Sequence, residues 1–566
     1  MREQRPTRVG LLCSLTVALV SRGYSQTPTH QHYEKPPAEY QKATPEGQLA
    51  PRLQNLGDYT FPVTTKSERA QLFINQGINL AYGFNHAEAA RAFKEAARLD
   101  PDCAMGYWGN ALVLGPNINA PMNPDDEPQA FELVQKAMAL RESASERERA
   151  YIEALAQRYS GKAEDRVERD RAYANAMRGL HMRYPGDLDA ATLFAESLMD
   201  LRPWNYWTRD SKPYPGTEEI ETALEAVMAA NLNHPGATHY YIHVMEPTKN
   251  PERAEAAADR LLKLMPGAGH MVHMPSHIYQ RVGRYEDSAE ANRRAILADE
   301  DYITQCRAQG LYPLGYYPHN IHFLWSAATM EGRSEEAIAA ARKTAAAIPH
   351  QALETVPFLQ GFLVVPYYAL TRFGKWDEIL REPAPWYDSL FTRGIWHYAR
   401  GSAFAATGRL SEAQQELDQL KEIVADPKLP ELPASFSANN AYVILRIAPE
   451  VLAGELAAKR GDFDQAVAHL ERAVHFEDAL IYTEPPDWHY PVRQSLGAVL
   501  LEAKRPDEAE AVYWEDLRGN PDNGWSLFGL TQSLKAQGKS EPADQVEKRF
   551  QKAWARADVQ LTASRF

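Results

Sequence analysis

Histidine side chains are concentrated in one part of this chain. Eight of its 17 histidines lie between residues 234 and 322, less than one sixth of the 566 residues. His234 is set aside because it precedes a proline at a helix boundary, whereas Glu246 lies among the other seven. Imidazole nitrogens with a carboxylate oxygen suit zinc, copper, iron or nickel. The predicted metal ligands are His239, His243, Glu246, His270, His273, His277, His319 and His322.

The spacing of these residues favours a metal site built on helices. His239 and His243 are four residues apart, as are His273 and His277. Residues three or four apart lie on the same face of a helix, and helical zinc motifs use histidine pairs at this spacing. One tetrahedral ion needs three or four protein ligands, so eight candidates predict two or more ions.

The identity of the metal would decide the chemistry. Copper or iron would make the protein an oxidase or an oxygenase, that is, an oxidoreductase. Zinc would make it a hydrolase, because a zinc-bound water becomes nucleophilic near neutral pH. The sequence leaves copper, iron and zinc open.

The elements that must position these side chains are pairs of helices. A pattern of aromatic, glycine, large apolar, alanine and proline residues starts at Ala70. Its first copy consists of Phe73, Gly77, Leu80, Ala89, Phe93, Ala96 and Pro101. Later copies place Gly283, Gly332, Gly408 and Gly461 at the turn inside each pair. Because one pair cannot bury its apolar face alone, neighbouring pairs must stack.

This pattern resembles the tetratricopeptide repeat (TPR), whose period is about 34 residues. The resemblance extends over residues 66–560 and implies an all-α fold, a TPR-type α-solenoid in which antiparallel helix pairs form a right-handed superhelix. Aromatic-rich insertions at 104–128, 205–219 and 301–320 interrupt the repeats. Insertions in solenoids usually lie on one face, which is often the binding face.

The repeat register places the predicted ligands together. Three consecutive repeats start near Pro235, Gly269 and Pro318, and all eight candidates fall at offset 2, 5, 9 or 12 of a first helix. In the tetratricopeptide family these offsets face the concave groove. The resemblance therefore implies a concave metal site within residues 235–330.

A shorter segment resembles a more specific group of proteins. "HMPSHIYQRVGRY", together with "THYYIHVME" upstream and "PHNIH" downstream, is similar to exported bacterial TPR proteins. That resemblance implies export and repeat architecture. It supplies no activity and no cofactor, so the metal prediction depends on the spacing of the histidines.

Two other functions remain open at this point. A concave groove lined with imidazoles and aromatic rings could bind a peptide, protein or small-molecule ligand without catalysis, as a scaffold of the cell envelope. The same histidines could also store or deliver metal. The loop from Glu484 to His489 could present a carboxylate to the groove or serve only as a connection between repeats.

The amino-terminal residues predict export. Arg2, Arg5 and Arg8 precede an apolar stretch from Val9 to Val20, and residues 23–25 are suited to cleavage, so residues 1–25 have the pattern of a signal peptide. The apolar stretch is shorter than the roughly 20 residues that span a bilayer, and no later stretch is as long. We expect a periplasmic or secreted protein with no transmembrane segment. Residues 26–65 are polar and proline-rich, which predicts an extended arm.

Charge and cysteine content exclude further classes. The formal net charge of −14 argues against a nucleic-acid partner. Only Cys103 and Cys306 would remain after removal of the signal peptide. Two cysteines cannot form a disulfide scaffold, so packing between helices must stabilise the fold.

Overall fold

The structure is a computed structural model that describes residues 47–306, 312–434 and 438–566. The predicted signal peptide, and the arm up to residue 46, lie outside the described residues. No described helix is both long enough and apolar enough to cross a bilayer.

Helices account for almost all regular structure in these residues, and no strand occurs in them apart from three isolated bridges. The helices before the histidine-rich repeats are α1 (Glu68–Tyr82), α2 (His86–Leu99), α3 (Ala104–Leu112), α4 (Glu127–Ala139), α5 (Glu146–Leu155), α6 (Arg166–Arg183), α7 (Leu188–Asp200) and α8 (Thr217–Ala230). The histidine-rich repeats contain α9 (Pro235–Met245), α10 (Glu255–Leu264), α11 (Gly269–His273), α12 (Pro275–Arg281), α13 (Tyr285–Cys306), α14 (Tyr317–Met330) and α15 (Ser334–Ala346).

The carboxyl-terminal part continues the same architecture. Its helices are α16 (Ala352–Thr355), α17 (Gln360–Leu363), α18 (Val365–Arg372), α19 (Trp376–Arg381), α20 (Leu390–Ala406), α21 (Leu410–Val424), α22 (Ala441–Leu445), α23 (Ile447–Lys459), α24 (Phe463–Asp478), α25 (Val492–Glu502), α26 (Pro506–Gly519), α27 (Gly524–Ala536) and α28 (Ser540–Ala553). The prediction of an all-α TPR-type solenoid is confirmed.

Glycines at the predicted turns explain why each helix pair folds back. Gly283, Gly332, Gly408 and Gly461 all have φ between 71° and 79°, a left-handed conformation that costs glycine little. After the first of these, the backbone N–H of Arg284 donates to a carbonyl five residues earlier, at 2.8 Å. This is the usual glycine-dependent end of a helix.

One predicted helix is divided in two. The first helix of the repeat that starts at Gly269 breaks at Met274, between α11 and α12. Pro275 causes the break, because proline lacks a backbone N–H and its ring clashes with the preceding turn. His273 and His277 nevertheless lie side by side across this break.

The described part of the arm, residues 47–65, contains no helix and runs along α1. Leu53 N donates to Gln76 Oε1 at 2.9 Å, and Val63 N donates to Gln71 Oε1 at 2.9 Å. The side chain of Phe61 is buried in the core. This extended segment does not pair with a strand. Polar side chains of α1 instead accept hydrogen bonds from its backbone N–H groups.

The carboxyl-terminal end of the solenoid packs against its middle. Trp525 of α27 donates from Nε1 to the carbonyl of Thr329 in α14 at 2.9 Å. The carboxylate of Asp558 accepts from the backbone N–H of Ser334 at 2.7 Å, at the start of α15. These contacts join repeats that are about 200 residues apart in the sequence.

Candidate metal centre

Six of the predicted ligands form two groups of three imidazoles. The ligand nitrogens within each group lie within 4.8 Å of one another. The first group combines α9 and α11, and the second combines α11, α12 and α14. The two groups are His239, His243 and His270, and His273, His277 and His319.

A third group contains carboxylates. Glu246 and Glu484 both approach Nδ1 of His277, at 2.5 and 3.1 Å. Glu484 is not among the ligands predicted from residue spacing. Its loop, which follows α24, does bring a carboxylate to the histidines, whereas His489 of the same loop stacks on Tyr368.

His322 occupies a different environment from the other predicted ligands. Its ring stacks on Trp325, with the centroids 4.9 Å apart, and meets the edge of Phe362. It belongs to none of the three groups, all of which were found within the described residues. Burial lowers the pKa of His322 to about 3.

Most residues of these groups are enclosed, whereas His319 and Glu484 are partly exposed. His239, His273 and Glu246 are 0% exposed. Tyr482, 236 residues beyond Glu246, donates a long hydrogen bond to its carboxylate, at 3.4 Å. Distant parts of the same chain therefore lie against the predicted ligands.

Two aromatic residues that cover the first group have unusual backbone conformations. Phe84 has φ of 55° and Trp204 has φ of 62°, values that cost a bulky residue of order 1–3 kcal/mol. The Phe84 ring lies 4.6 Å from that of His239, and the Trp204 ring lies 5.0 Å from that of His243. Strained backbone at two such positions is typical of functional sites.

Hydrogen bonds fix which nitrogen of each imidazole carries a proton in the first group. His239 Nδ1 lies 2.6 Å from the carbonyl oxygen of Tyr82, and His243 Nδ1 lies 2.8 Å from a carboxylate oxygen of Glu246. Both oxygens can only accept, so both Nδ1 atoms donate. The lone pairs of these two neutral rings are consequently on Nε2.

The same arrangement occurs in the second group. His273 Nδ1 lies 2.7 Å from Asn292 Oδ1. Because Nδ2 of Asn292 donates to the carbonyl of Ser288, its Oδ1 must be the acceptor. His277 directs Nδ1 at carboxylates, so His273 and His277 also present Nε2. Histidines that bind metals usually donate their other ring N–H in this way.

The ligand atoms of the first group are buried without hydrogen-bond partners. Nε2 of His239, Nε2 of His243 and both ring nitrogens of His270 make no hydrogen bond to any described residue. Leaving one buried polar atom unsatisfied costs about 1–3 kcal/mol. Several such atoms facing one another need a common partner, and a bound cation would supply it.

In the second group two ligand atoms meet directly. Nε2 of His273 and Nε2 of His277 are 3.0 Å apart. Two lone pairs at this distance repel unless a cation or a proton lies between them. A doubly protonated His277 would satisfy the contact by donating to His273, and a metal ion bound by both rings would satisfy it equally.

The charge states of most of these imidazoles suit metal binding, whereas His277 is protonated at pH 7 and would have to release that proton to bind an ion. Burial, reinforced by neighbouring imidazoles, holds the pKa of His239, His270 and His319 well below the usual value, so these rings are neutral at pH 7, the form that binds metals. Burial alone would lower the pKa of His277, but Glu246 and Glu484 raise it to about 9. Burial opposes ionisation of Glu246, yet His277 and His243 lower its pKa to about 2.

Comparisons with known proteins find only distant structural similarities. No protein-family model and no curated protein matches the chain. A crystal structure of the APC/C hetero-tetramer Cut9–Hcn1 is 12% identical, with TM-score 0.36, covering 87% of this chain and 80% of that one. Yeast Tom70 is 12% identical, with TM-score 0.27, covering 86% and 91%. The P58(IPK) TPR domain is 12% identical, with TM-score 0.22, covering 83% and 99%. Similarities this distant indicate no ligand and no activity for this chain.

Proposed function

We propose that this chain is an exported metalloprotein that holds two transition-metal ions inside its solenoid and uses them in catalysis. One ion would be bound by the three imidazoles of the first group and the other by those of the second. Copper or iron would support oxidation, and zinc would support hydrolysis. Export is supported by the signal-peptide pattern of residues 1–25.

The observation that carries this proposal is the set of buried, unpartnered ring nitrogens. Nε2 of His239 and Nε2 of His243 face a shared space with His270 and have no hydrogen-bond partner among the residues described. Structural histidines in a core normally bond through both nitrogens or face water. Here Nδ1 of both His239 and His243 donates a hydrogen bond, and the two Nε2 atoms face the same space. Metal-binding histidines are usually oriented in this way.

Three imidazoles per ion leave a coordination position open. Sites with three protein ligands and one free position are typical of catalytic zinc, whereas structural zinc sites are closed by four. When bound, such an ion supplies Lewis-acid or redox chemistry at that position. The chain itself orients the rings through Glu246 and Asn292, and excludes water with Phe84 and Phe323.

Two alternative functions, a peptide-binding scaffold and metal storage or delivery, would require different properties of this site. Five of the six imidazoles are buried and so lie away from any surface that a peptide could contact, which favours metal binding at these residues. Storage and delivery need the same ligands but no open position and no turnover. Metal content separates the scaffold from the other two functions, and turnover then separates an enzyme from a carrier.

The test is the metal content of mature protein prepared without a histidine tag and exposed to copper, iron or zinc. We expect about two ions per chain, and His239→Gln combined with His243→Gln should remove about one. His322→Gln is the matched control, because this histidine lies on the same helix as His319 but belongs to no group; it should keep both ions. Fewer than about 0.2 ions per chain with every metal, in protein of unchanged helical circular dichroism, would refute the proposal.

A further inference from the structure

The two imidazole groups differ in their exposure to solvent. Five of the six rings are at most 4% exposed, whereas His319 of the second group is partly exposed. Glu484, which approaches His277 of the same group, is also partly exposed. All three rings of the first group are buried. A molecule from solvent can therefore reach an ion in the second group more readily than an ion in the first.

His319 and Glu484 border the same cavity. Its volume is about 80 Å³, and it lies between α14, the segment of α17 and α18, and the loop that carries Glu484. Pro486 of this loop borders the cavity and is exposed, and the bordering residues Phe358 and Gly361 are partly exposed. The cavity therefore connects the second imidazole group with the protein surface.

Most of the walls of this cavity are apolar, and many of them are aromatic. Aromatic side chains from four helices line it, namely Trp325 of α14, Phe362 of α17, Tyr368 of α18 and Phe391 of α20. Val365 and Ile444 add aliphatic surface. Offset or edge-to-face contacts between rings stabilise an aromatic ligand beyond the burial of its surface. The walls therefore favour an aromatic molecule.

The size of the cavity restricts the ligand to a small molecule. One buried water needs about 10–15 Å³, so a cavity of about 80 Å³ has room for roughly six waters. A single aromatic ring with one small substituent is of about this size. The cavity therefore fits a monocyclic molecule.

The charged groups of the cavity favour a neutral ligand. Lysine and arginine are absent from the described residues that line it, whereas Glu484 and Asp487 are present, so the walls would repel an anion. Glu484 pairs with His277, and Asp487 accepts from Nδ2 of Asn439 at 2.7 Å. Because both carboxylates already have partners, a cation would have to compete with them. A neutral molecule meets neither obstacle.

From these observations we propose that the cavity is the substrate site of the second ion and binds a neutral aromatic molecule with one oxygen donor, of the size of phenol. The ring would lie against the aromatic walls. The oxygen would point toward His319 and the position that three imidazoles leave open on the ion. The first ion, whose ligands are all buried, would not contact this molecule. This inference rests on the proposed function, because it needs an ion in the second group.

The experiment is calorimetric titration of the full chain with phenol, in metal-free protein and in protein loaded with zinc, which has no redox chemistry. We expect one phenol to bind per chain in both forms, and about tenfold more tightly with zinc, because the ion polarises its oxygen. Toluene lacks the oxygen, so zinc should not change its affinity. In metal-free protein, benzoate should bind about tenfold more weakly than phenol because of its charge, and cyclohexanol about threefold more weakly because it is not aromatic.

Substitutions locate the bound phenol. Gly361→Leu adds a side chain at the edge of the cavity, within α17, and should weaken phenol about tenfold in both forms because it occupies part of the space. Gly179→Leu is the matched control, because Gly179 is exposed on α6 and a side chain there meets nothing within 4 Å. His319→Gln should remove the zinc-dependent gain in affinity, whereas His239→Gln combined with His243→Gln should lose one ion and retain the gain.

Metal content of the same samples separates failure of this inference from failure of the proposed function. Protein that takes up no zinc, copper or iron would refute the proposed function. Protein that holds two ions but binds phenol equally with and without them would overturn only this inference. No saturable binding of phenol at millimolar concentration, or equal phenol affinities in Gly361→Leu and Gly179→Leu, would also overturn it. So would a zinc-dependent gain that disappears when His239 and His243 are replaced.

Discussion

At the scale of single residues, one carboxylate organises both imidazole groups. Glu246 accepts from Nδ1 of His243 through Oε1 and lies against Nδ1 of His277 through Oε2. Each oxygen therefore orients one ring in each group. Both rings consequently present Nε2, and a single residue links the geometry of the two candidate metal sites.

Glu246→Gln tests this linkage. Glutamine has only one side-chain oxygen that accepts, and its NH₂ group would face a ring N–H, so one imidazole loses its partner. Loss of such a partner typically weakens metal affinity 10–100-fold, and we expect that range in competition titrations with a chelator. Glu252→Gln, an exposed change six residues along, should leave affinity unchanged. An equal affinity in Glu246→Gln would show that the carboxylate does not orient the rings.

Residue spacing predicted part of this site and missed the rest for a physical reason. His239 with His243, and His273 with His277, were predictable because a helix brings residues four apart to one face. Glu484 was not, because it reaches His277 only when the solenoid packs on itself. His322 follows the same helical spacing as His319, yet its ring stacks on Trp325, and spacing along a helix does not specify how a side chain packs.

At the scale of helices, α13 stabilises the site through hydrogen bonds that link it to α11 and α14. Its buried Asp299 accepts from Tyr312 at 2.8 Å and from Asn320 at 2.7 Å. The hydroxyl of Tyr312 in turn accepts from the backbone N–H of His270. This chain of hydrogen bonds ties α11, α13 and α14 together. The break at Pro275 is tolerated because such contacts hold both halves of the divided helix.

The ionisation of Asp299 should make stability depend on pH. Burial raises its pKa to about 7 in the folded protein, compared with about 3.9 in the unfolded chain. Between about pH 4 and pH 7 the folded state holds a proton that the unfolded state has released, so the free energy of unfolding falls as pH rises, by at most about 1.4 kcal/mol per pH unit.

Asp299→Asn removes this titration, because the amide stays neutral at every pH. Denaturant midpoints at pH 4.5 and pH 7 should therefore differ less in Asp299→Asn than in the parent. The exposed Asp301→Asn on the same helix should behave like the parent. A parent whose stability does not fall more steeply than that of Asp299→Asn would contradict the assignment.

At the scale of the whole molecule, closure of the solenoid creates the buried interior. The repeat pattern predicted the helix pairs and their turns, since Gly283 and Gly332 occupy the left-handed positions that such turns need. It did not predict that α27 would pack on α14. Contacts between distant repeats depend on the accumulated angle between many neighbouring pairs, which no single repeat specifies.

Substitution of Trp525 tests how much that closure contributes to the free energy of unfolding. It is 0% exposed and bonds to Thr329 from 196 residues away. Trp525→Ala should lower the free energy of unfolding by about 3–5 kcal/mol, as is typical when a large buried aromatic is removed. Trp514 is 42% exposed, so Trp514→Ala should cost less than about 0.5 kcal/mol. Equal losses in chemical denaturation would mean that the carboxyl-terminal end does not stabilise the middle.

The central claim is that two metal ions occupy the two groups of imidazoles. The most direct test is anomalous diffraction, at the absorption edge of the bound metal, from crystals of tag-free, metal-loaded protein. The account predicts two strong peaks, each about 2.0–2.1 Å from three imidazole nitrogens: one peak among His239, His243 and His270, and the other among His273, His277 and His319. Peaks confined to surface residues, or no peak near either group, would contradict it.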